Sequence, residues 1–264
     1  KEILSDHKPN YTNEDLLALY TFTGGVPKYI ENFIDNGCMS VDEMIDFMML
    51  PDSMFQNEGK TLLIQEFGKK YGNYFAILSA IANGDNTIPK LNDTTGETTV
   101  TGHLKRLEED YELITKKRPI FAKDGTQTVR FEISDLFLRF WFRYFTKYND
   151  LIETGNLELL GKIIKDDYPT YSGLTLEMYF RQKMAESKEF RNIGSWWQTK
   201  KEKIPCEIDF VGIYADDKHA LVAEVKRQRK NFKPTEFREK VETIRTKILS
   251  KYEIDSRCLS MDDM

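Results

Sequence analysis

The spacing of apolar side chains divides the chain into a helical first part and a mixed second part. Asn13 can cap a helix through Leu16, Leu17, Leu19 and Tyr20. TGGVPKYIENF opens another, with Gly24-Gly25 interrupting the chain and Pro27 in a first helical turn. In SVDEMIDFMML, Ser40 with Glu43 three residues later predicts a reciprocal cap ahead of an apolar face that stops at Pro51. Leu62, Leu63 and Phe67, then Tyr74, Phe75, Ile77, Leu78 and Ile81, recur at helical spacing and predict two helices or one kinked helix reaching Asn83-Gly84. A short helix over Ile88–Leu91 follows, then a third with Val100, Leu104 and Leu107 on one face. ELITKKRPIFAKDGTQTVRFEIS alternates apolar and polar residues around Lys123-Asp124-Gly125-Thr126, which predicts a hairpin with a tight turn. Three helices followed by a two-stranded ribbon is the order of a winged helix, the third helix being the recognition helix and the hairpin the wing.

SDLFLRFWFRYF is a strongly aromatic helix. Bases could stack on it, but Phe137, Phe140, Trp141 and Tyr144 at such density read better as packing at a domain junction. From Gly161 the pattern becomes α/β. GLTLEMYFRQKMAE is a helix, NIGSWWQTK a strand, CEIDFVGIYADDKHALVAEVKRQ a strand, turn and strand, and PTEFREKVETIRTKILSKY a long C-terminal helix. Adjacent Trp196 and Trp197 face opposite ways, one into the core and one over the site or a domain joint. The expected organisation is a helical segment over 1–58, a winged helix over 59–134, an aromatic bridge over 135–160 and an α/β domain over 161–264.

The chain has 264 residues, 31% of them charged and 40% hydrophobic, with a net charge of −5. That is the composition of a globular protein. Its most apolar stretch, Leu136 to Phe145, is broken by Arg139 and Arg143, so no transmembrane helix is expected. KEILSDHKPN reads as neither a signal peptide nor a natural start, and a piece of a longer protein is expected. Cys38, Cys206 and Cys258 are far apart and away from His7, His103 and His219, which argues for a reducing cytoplasm and against a disulfide framework or structural zinc. The charge is uneven. Residues 1–60 carry 4 basic and 11 acidic side chains, giving −7, whereas 226–251 carry 10 and 3, giving +7. The C-terminal stretch is the better partner for a phosphate backbone.

One arrangement looks chemical. Glu224 and Lys226 lie two apart on one strand and share a face, Asp209 lies on the preceding strand, and Glu177 lies on the helix before the sheet. Two carboxylates can hold Mg²⁺ while a lysine positions or activates water against a phosphodiester. A helix with Glu, a strand with Asp and a strand reading Glu-x-Lys resembles the PD-(D/E)XK nuclease superfamily. EMYFRQ, NIGSWWQ, EIDFVG and LVAEVKRQ, in that order, resemble the C-terminal domain of unknown function on archaeal-type ATPases, where a nuclease-like domain follows a winged helix and an AAA-related core. TGGVPKYIENF resembles the helical lid of that core, and DLFLRFWFRYF the bridge after the winged helix. The resemblance implies Asp209 and Glu224 as ligands of Mg²⁺ or Mn²⁺, Lys226 as the catalytic lysine and Glu177 as an accessory carboxylate. Ile208 stands where the eponymous motif has proline.

Gly59-Lys60-Thr61 looks like the end of a phosphate-binding loop, but position 54 is Met54 rather than glycine and the preceding segment is helical. The chain alone is therefore expected to bind no ATP. On the resemblance, the loop belongs to an absent N-terminal ATPase core, a partner in its own right, with Gly24, Gly25 and Lys28 at most touching nucleotide. DNA is the expected ligand of His103, Lys105 and Arg106 on the third helix and of Lys116, Lys117, Arg118 and Lys123 at the hairpin, with a protein-protein or interdomain role an equal alternative for the winged helix, and of Lys230, Lys233 and Lys240 near the C-terminus. A Glu236–Lys240 pair would support the last helix. The alternative to a nuclease is an inactive DNA- or protein-binding module that targets or regulates the ATPase, as a homo-oligomer or with a protein partner.

Overall fold

The computed structural model describes residues 1–68, 71–96, 98–123, 125, 129–198 and 206–264. They form two compact units that the chain visits alternately, Lys1–Lys117 with Val129–Thr170, and Arg118–Thr128 with Tyr171–Met264.

The first unit is helical, with α1 (Glu2–His7), α2 (Asn13–Thr23), α3 (Pro27–Asp35), α4 (Val41–Met48) and α5 (Met54–Phe67). The cap of α2 is Thr12 rather than Asn13. The Asp15 N–H donates to Thr12 Oγ1 at 3.1 Å and the Thr12 N–H to Asp15 Oδ2 at 2.9 Å. The pair Thr12 and Asp15 makes the reciprocal box one residue earlier than an Asn13 cap would. Ser40 and Glu43 form the same box at α4. After α5 come α6 (Tyr71–Ala82), α7 (Ile88–Thr95), which runs a turn past its expected end, and α8 (Thr101–Glu109). Antiparallel β1 (Ile114–Lys117) and β2 (Arg130–Ile133) pair from Ile114↔Ile133 to Lys117↔Arg130. Asp124 and Thr126 of the expected tight turn lie outside the described residues.

The aromatic segment is α9 (Leu136–Trp141) and a single π turn, Phe142–Thr146. It forms the core of this unit rather than a surface for bases. Phe137 packs 4.4 Å from Tyr29, Phe140 packs 4.9 Å from Phe22, and Phe33 stacks on Phe55 at 4.9 Å. The segments expected to be a lid, a winged helix and a bridge thus pack into one unit, apart from Arg118–Thr128 of the expected wing, which falls in the second unit. Gly59, central in α5, lies against Trp141, since a Cβ there would fall 2.2 Å from the indole. Trp141 Nε1 donates to the Gln56 carbonyl at 2.9 Å. This glycine serves packing and holds no phosphate-binding turn.

After α10 (Asn149–Glu153), helix α11 (Leu157–Glu186) passes from the first unit to the second. The division, expected at 161, falls at 170/171, next to Pro169. Proline there leaves the Lys165 carbonyl without its helical donor.

The second unit is built on a four-stranded sheet in the order β3 (Phe190–Trp197), β4 (Glu207–Tyr214), β5 (His219–Lys226) and β6 (Glu253–Ser260). β3, β4 and β5 are antiparallel, and β6 returns parallel to β5 after α12 (Pro234–Lys247). Val211, Ile213, Ala220 and Val222 of the sheet bury with Phe237, Val241 and Ile244 of α12. Trp196 joins this core and Trp197 is equally buried. The free edge of β3 is covered by the chain between β1 and β2. The Ile120 N–H donates to the Ser195 carbonyl at 2.8 Å, and Ile120 enters the core over Gly194, where a Cβ would stand 3.2 Å from it.

Candidate functional site

Of the four residues singled out on the second unit, Asp209, Glu224 and Lys226 meet at the end of the β4–β5 ladder. Regular pairing runs from Ile213↔Ala220 to Phe210↔Ala223, and one step further puts Asp209 opposite Glu224. There the ladder changes character. Asp209 Oδ2, a side-chain oxygen, accepts the Val225 N–H at 2.8 Å. On its other side β4 bulges, since Gly194 pairs with Val211 but Trp196 with Ile208, so three steps along β4 match two along β3. Ile208 and Val211 consequently share one core although they are three apart. A bulge re-aims the residues inside it, and here these are Asp209 and Phe210. Strict alternation would have set Ile208 and Val211 on opposite faces.

Glu224 is buried, 9% exposed, and both its oxygens carry an ion pair. Lys226 Nζ is 2.7 Å from Oε1 and Lys240 Nζ, from α12, is 3.1 Å from Oε2. Burial works against a charge on Glu224, but the two ammonium groups outweigh it and hold its carboxyl below the usual range. Burial likewise opposes the charge on Lys226. Glu224, then Asp209 and Glu177, overcome it and raise its pKa, which places all three carboxylates in the electrostatic reach of this lysine. Asp209 is displaced upward, chiefly by burial, with Glu224 adding to the shift. Glu177 is brought in by α11, which is tied to β5 where Arg227 donates to Ser172 Oγ at 2.5 Å.

These groups have the chemistry of a small oxygen site for a hard cation. Asp209 Oδ1 makes no hydrogen bond among the described residues, and the Glu224 oxygens already face positive charge on both sides. Two carboxylates are the usual protein share for Mg²⁺, water completing the shell. No cage of three or more His, Cys, Asp or Glu side chains occurs among the described residues.

The residues expected to meet DNA fare differently. On α8, His103 packs edge-on against Tyr74 at 5.4 Å, Lys105 is 3.6 Å from Glu109, and Tyr74 raises the pKa of Arg106. Lys116 is half-buried, and Lys117 is ion-paired with Glu132 across the hairpin. Lys230 is exposed, and Lys233 is exposed with Glu236 2.9 Å away. The expected Glu236–Lys240 pair is not formed, because Lys240 turns inward to Glu224. Lys240 therefore belongs to the carboxylate site rather than to a basic surface. Its sequence position carried a signal, three after Phe237 and four before Ile244, which are rows of the buried stripe of α12.

No helix among the described residues is long and apolar enough to cross a membrane. No solved structure matches the chain. It is similar to an uncharacterized protein of the archaeon Methanocaldococcus jannaschii, 30% identical over an alignment of 232 residues that covers 84% of this chain and 50% of that protein. The chain thus spans about half the length of that curated relative. Residues 141–240 match DUF234, a family of archaeal and bacterial proteins of unknown function, and the matched stretch contains Glu177, Asp209, Glu224, Lys226 and Lys240.

Proposed function

We propose that the second unit is a PD-(D/E)XK-type site that hydrolyses phosphodiester bonds of DNA with Mg²⁺ or Mn²⁺. The observation that carries this reading is the end of the β4–β5 ladder, where Asp209 caps the Val225 N–H beside Glu224 and Lys226. Asp209 and Glu224 would hold the cation, and Glu177 would bear on it from α11. Bound there, the cation supplies Lewis-acid polarisation of the phosphodiester and a more acidic water. Lys226 shares a strand face with Glu224, so its ammonium can donate to the attacking water or to a phosphate oxygen without a change of backbone. α6, α7 and α8 with the β1–β2 ribbon would act as a winged helix on DNA, and the longer parent protein would be an archaeal-type ATPase whose core lies outside this chain.

The test is incubation with Mg²⁺ or Mn²⁺ and plasmid or single-stranded DNA. Cleavage should fall at least about a hundredfold in Asp209→Ala and Lys226→Ala. Equal cleavage by parent and variants overturns the assignment. A second reading is favoured by the saturation of Glu224 with two lysines. On it the cluster is a structural ion network in a non-catalytic DNA- or protein-binding module. That reading predicts no cleavage by the parent and a large loss of stability in Glu224→Gln, because two half-buried ammonium groups would lose their counter-charge.

A further inference from the structure

A cation that binds Glu224 must first evict an ammonium group, because Lys226 takes Oε1 and Lys240 takes Oε2 of this buried carboxylate. We propose that Lys240 is the group evicted. It is a positioning residue, a counter-cation delivered by α12 that holds Glu224 while no divalent cation does and releases it when one binds. The inference rests on the reading of Asp209 and Glu224 as metal ligands.

Three observations distinguish Lys240 from Lys226. Its contact is the longer, 3.1 Å against 2.7 Å. Lys226 lies on the same strand as Glu224, two residues away, and the charges of Asp209 and Glu177 also act on it, so its place does not depend on Oε1 alone. Lys240 comes from a separate element whose backbone is pinned by Phe237, Val241 and Ile244 in the core. Its side chain can swing to solvent, where it is already 31% exposed, without moving the helix. Two ammonium groups on one carboxylate also repel each other, which lowers the cost of losing one.

The consequence is a measurable penalty. If the metal-competent site is the one with Oε2 vacated, the apparent affinity is the intrinsic affinity scaled down by the fraction of molecules in that state. Removing the latch should therefore tighten metal binding while weakening the metal-free protein. A substitution that merely loosens packing does the opposite to affinity.

The experiment is calorimetric titration of the full chain with Mn²⁺, paired with thermal melts with and without the metal, on the parent, Lys240→Met, Lys240→Arg and Glu224→Gln. Lys240→Met should bind Mn²⁺ about tenfold more tightly than the parent. Its metal-free melting temperature should drop, and Mn²⁺ should raise that temperature more than in the parent. Lys240→Arg, which keeps the charge, should remain near the parent, and Glu224→Gln should bind no Mn²⁺. Lys240→Gln, which keeps a donor for Oε2 without the charge, replaces the methionine variant should the latter not fold, with the same expected tightening. Equal or weaker affinity in the neutral variants overturns the latch and leaves the metal-site reading standing. Absence of Mn²⁺ binding in parent and neutral variants alike overturns the metal-site reading, and the latch with it.

Discussion

At the scale of single residues, close approach rather than phosphate chemistry explains Gly59. A Cβ at this position would stand 2.2 Å from Cδ2 and 2.6 Å from Cε3 of Trp141. The indole cannot retreat easily, being buried and held through Nε1 to the Gln56 carbonyl. Alanine gains about 1 kcal/mol of helix propensity over glycine, whereas overpacking a tight core costs about 1–3 kcal/mol. Overpacking wins. Gly59→Ala should lower stability by up to about 2 kcal/mol in urea unfolding, and a rise in stability would show that α5 and α9 separate freely. Glu-x-Lys and an aspartate on the strand before it were legible because strand periodicity places them by itself. Lys240 was misplaced because an exposed i,i+4 pair with Glu236 seemed available. The buried Glu224 charge is the stronger attractor, since an unpaired charge there would cost far more than a surface pair returns.

Between elements, legibility followed the strength of local signals. The Ser40–Glu43 capping box, the apolar stripes and the strands β3, β4 and β5 could be read because each is encoded within a dozen residues. β6 could not. Its segment EIDSRCLS has mostly exposed residues in its first half, and its place is set by parallel pairing to β5 across the whole of α12. The β4 bulge was equally invisible, since it is a property of two strands in register rather than of one. The start of the parallel pair is joined by His219, whose ring lies 2.5 Å from Asp216 in the preceding turn and 3.3 Å from Glu253 of β6. Hydrogen bonding to Asp216, then its charge, raises the His219 pKa above 6.5, and the same contacts with the turn amides push Asp216 down to about 2. The raised histidine stabilises the fold fully below about 6.5, its unfolded value, and loses that contribution as pH rises through its folded value. Asp216 contributes fully above about 3.8, its unfolded value, and loses that share as pH falls from there through about 2. An NMR titration of the His219 ring should have its midpoint above 6.5. Asp216→Asn should bring it back toward that value, and an unmoved midpoint would assign the shift to Glu253 instead.

For the whole molecule, the order of the chain matters more than its average composition. The net −5 conceals a −7 first segment and a +7 stretch from Lys226 to Lys251, and the two compact units are interleaved rather than consecutive. The family match from Trp141 to Lys240 begins in the core of the first unit and ends at the site of the second, so it follows neither unit alone. The excursion Arg118–Thr128 is the informative part. It lends the second unit a side chain, Ile120, that is 6% exposed in the core with Trp196, Ile208 and Phe237, and a backbone donor that covers the edge of β3. Ile120→Ala in the full chain removes the side chain and keeps the donor. It should cost about 2–5 kcal/mol, as buried isoleucine truncations do. Hydrogen exchange locates the cost. Amides of β3, β4 and α12 should lose protection while those of α2, α5 and α9 keep theirs, because opening free energies are shared within a cooperative unit. Equal loss in both sets would mean that the interleaved chain unfolds as one body.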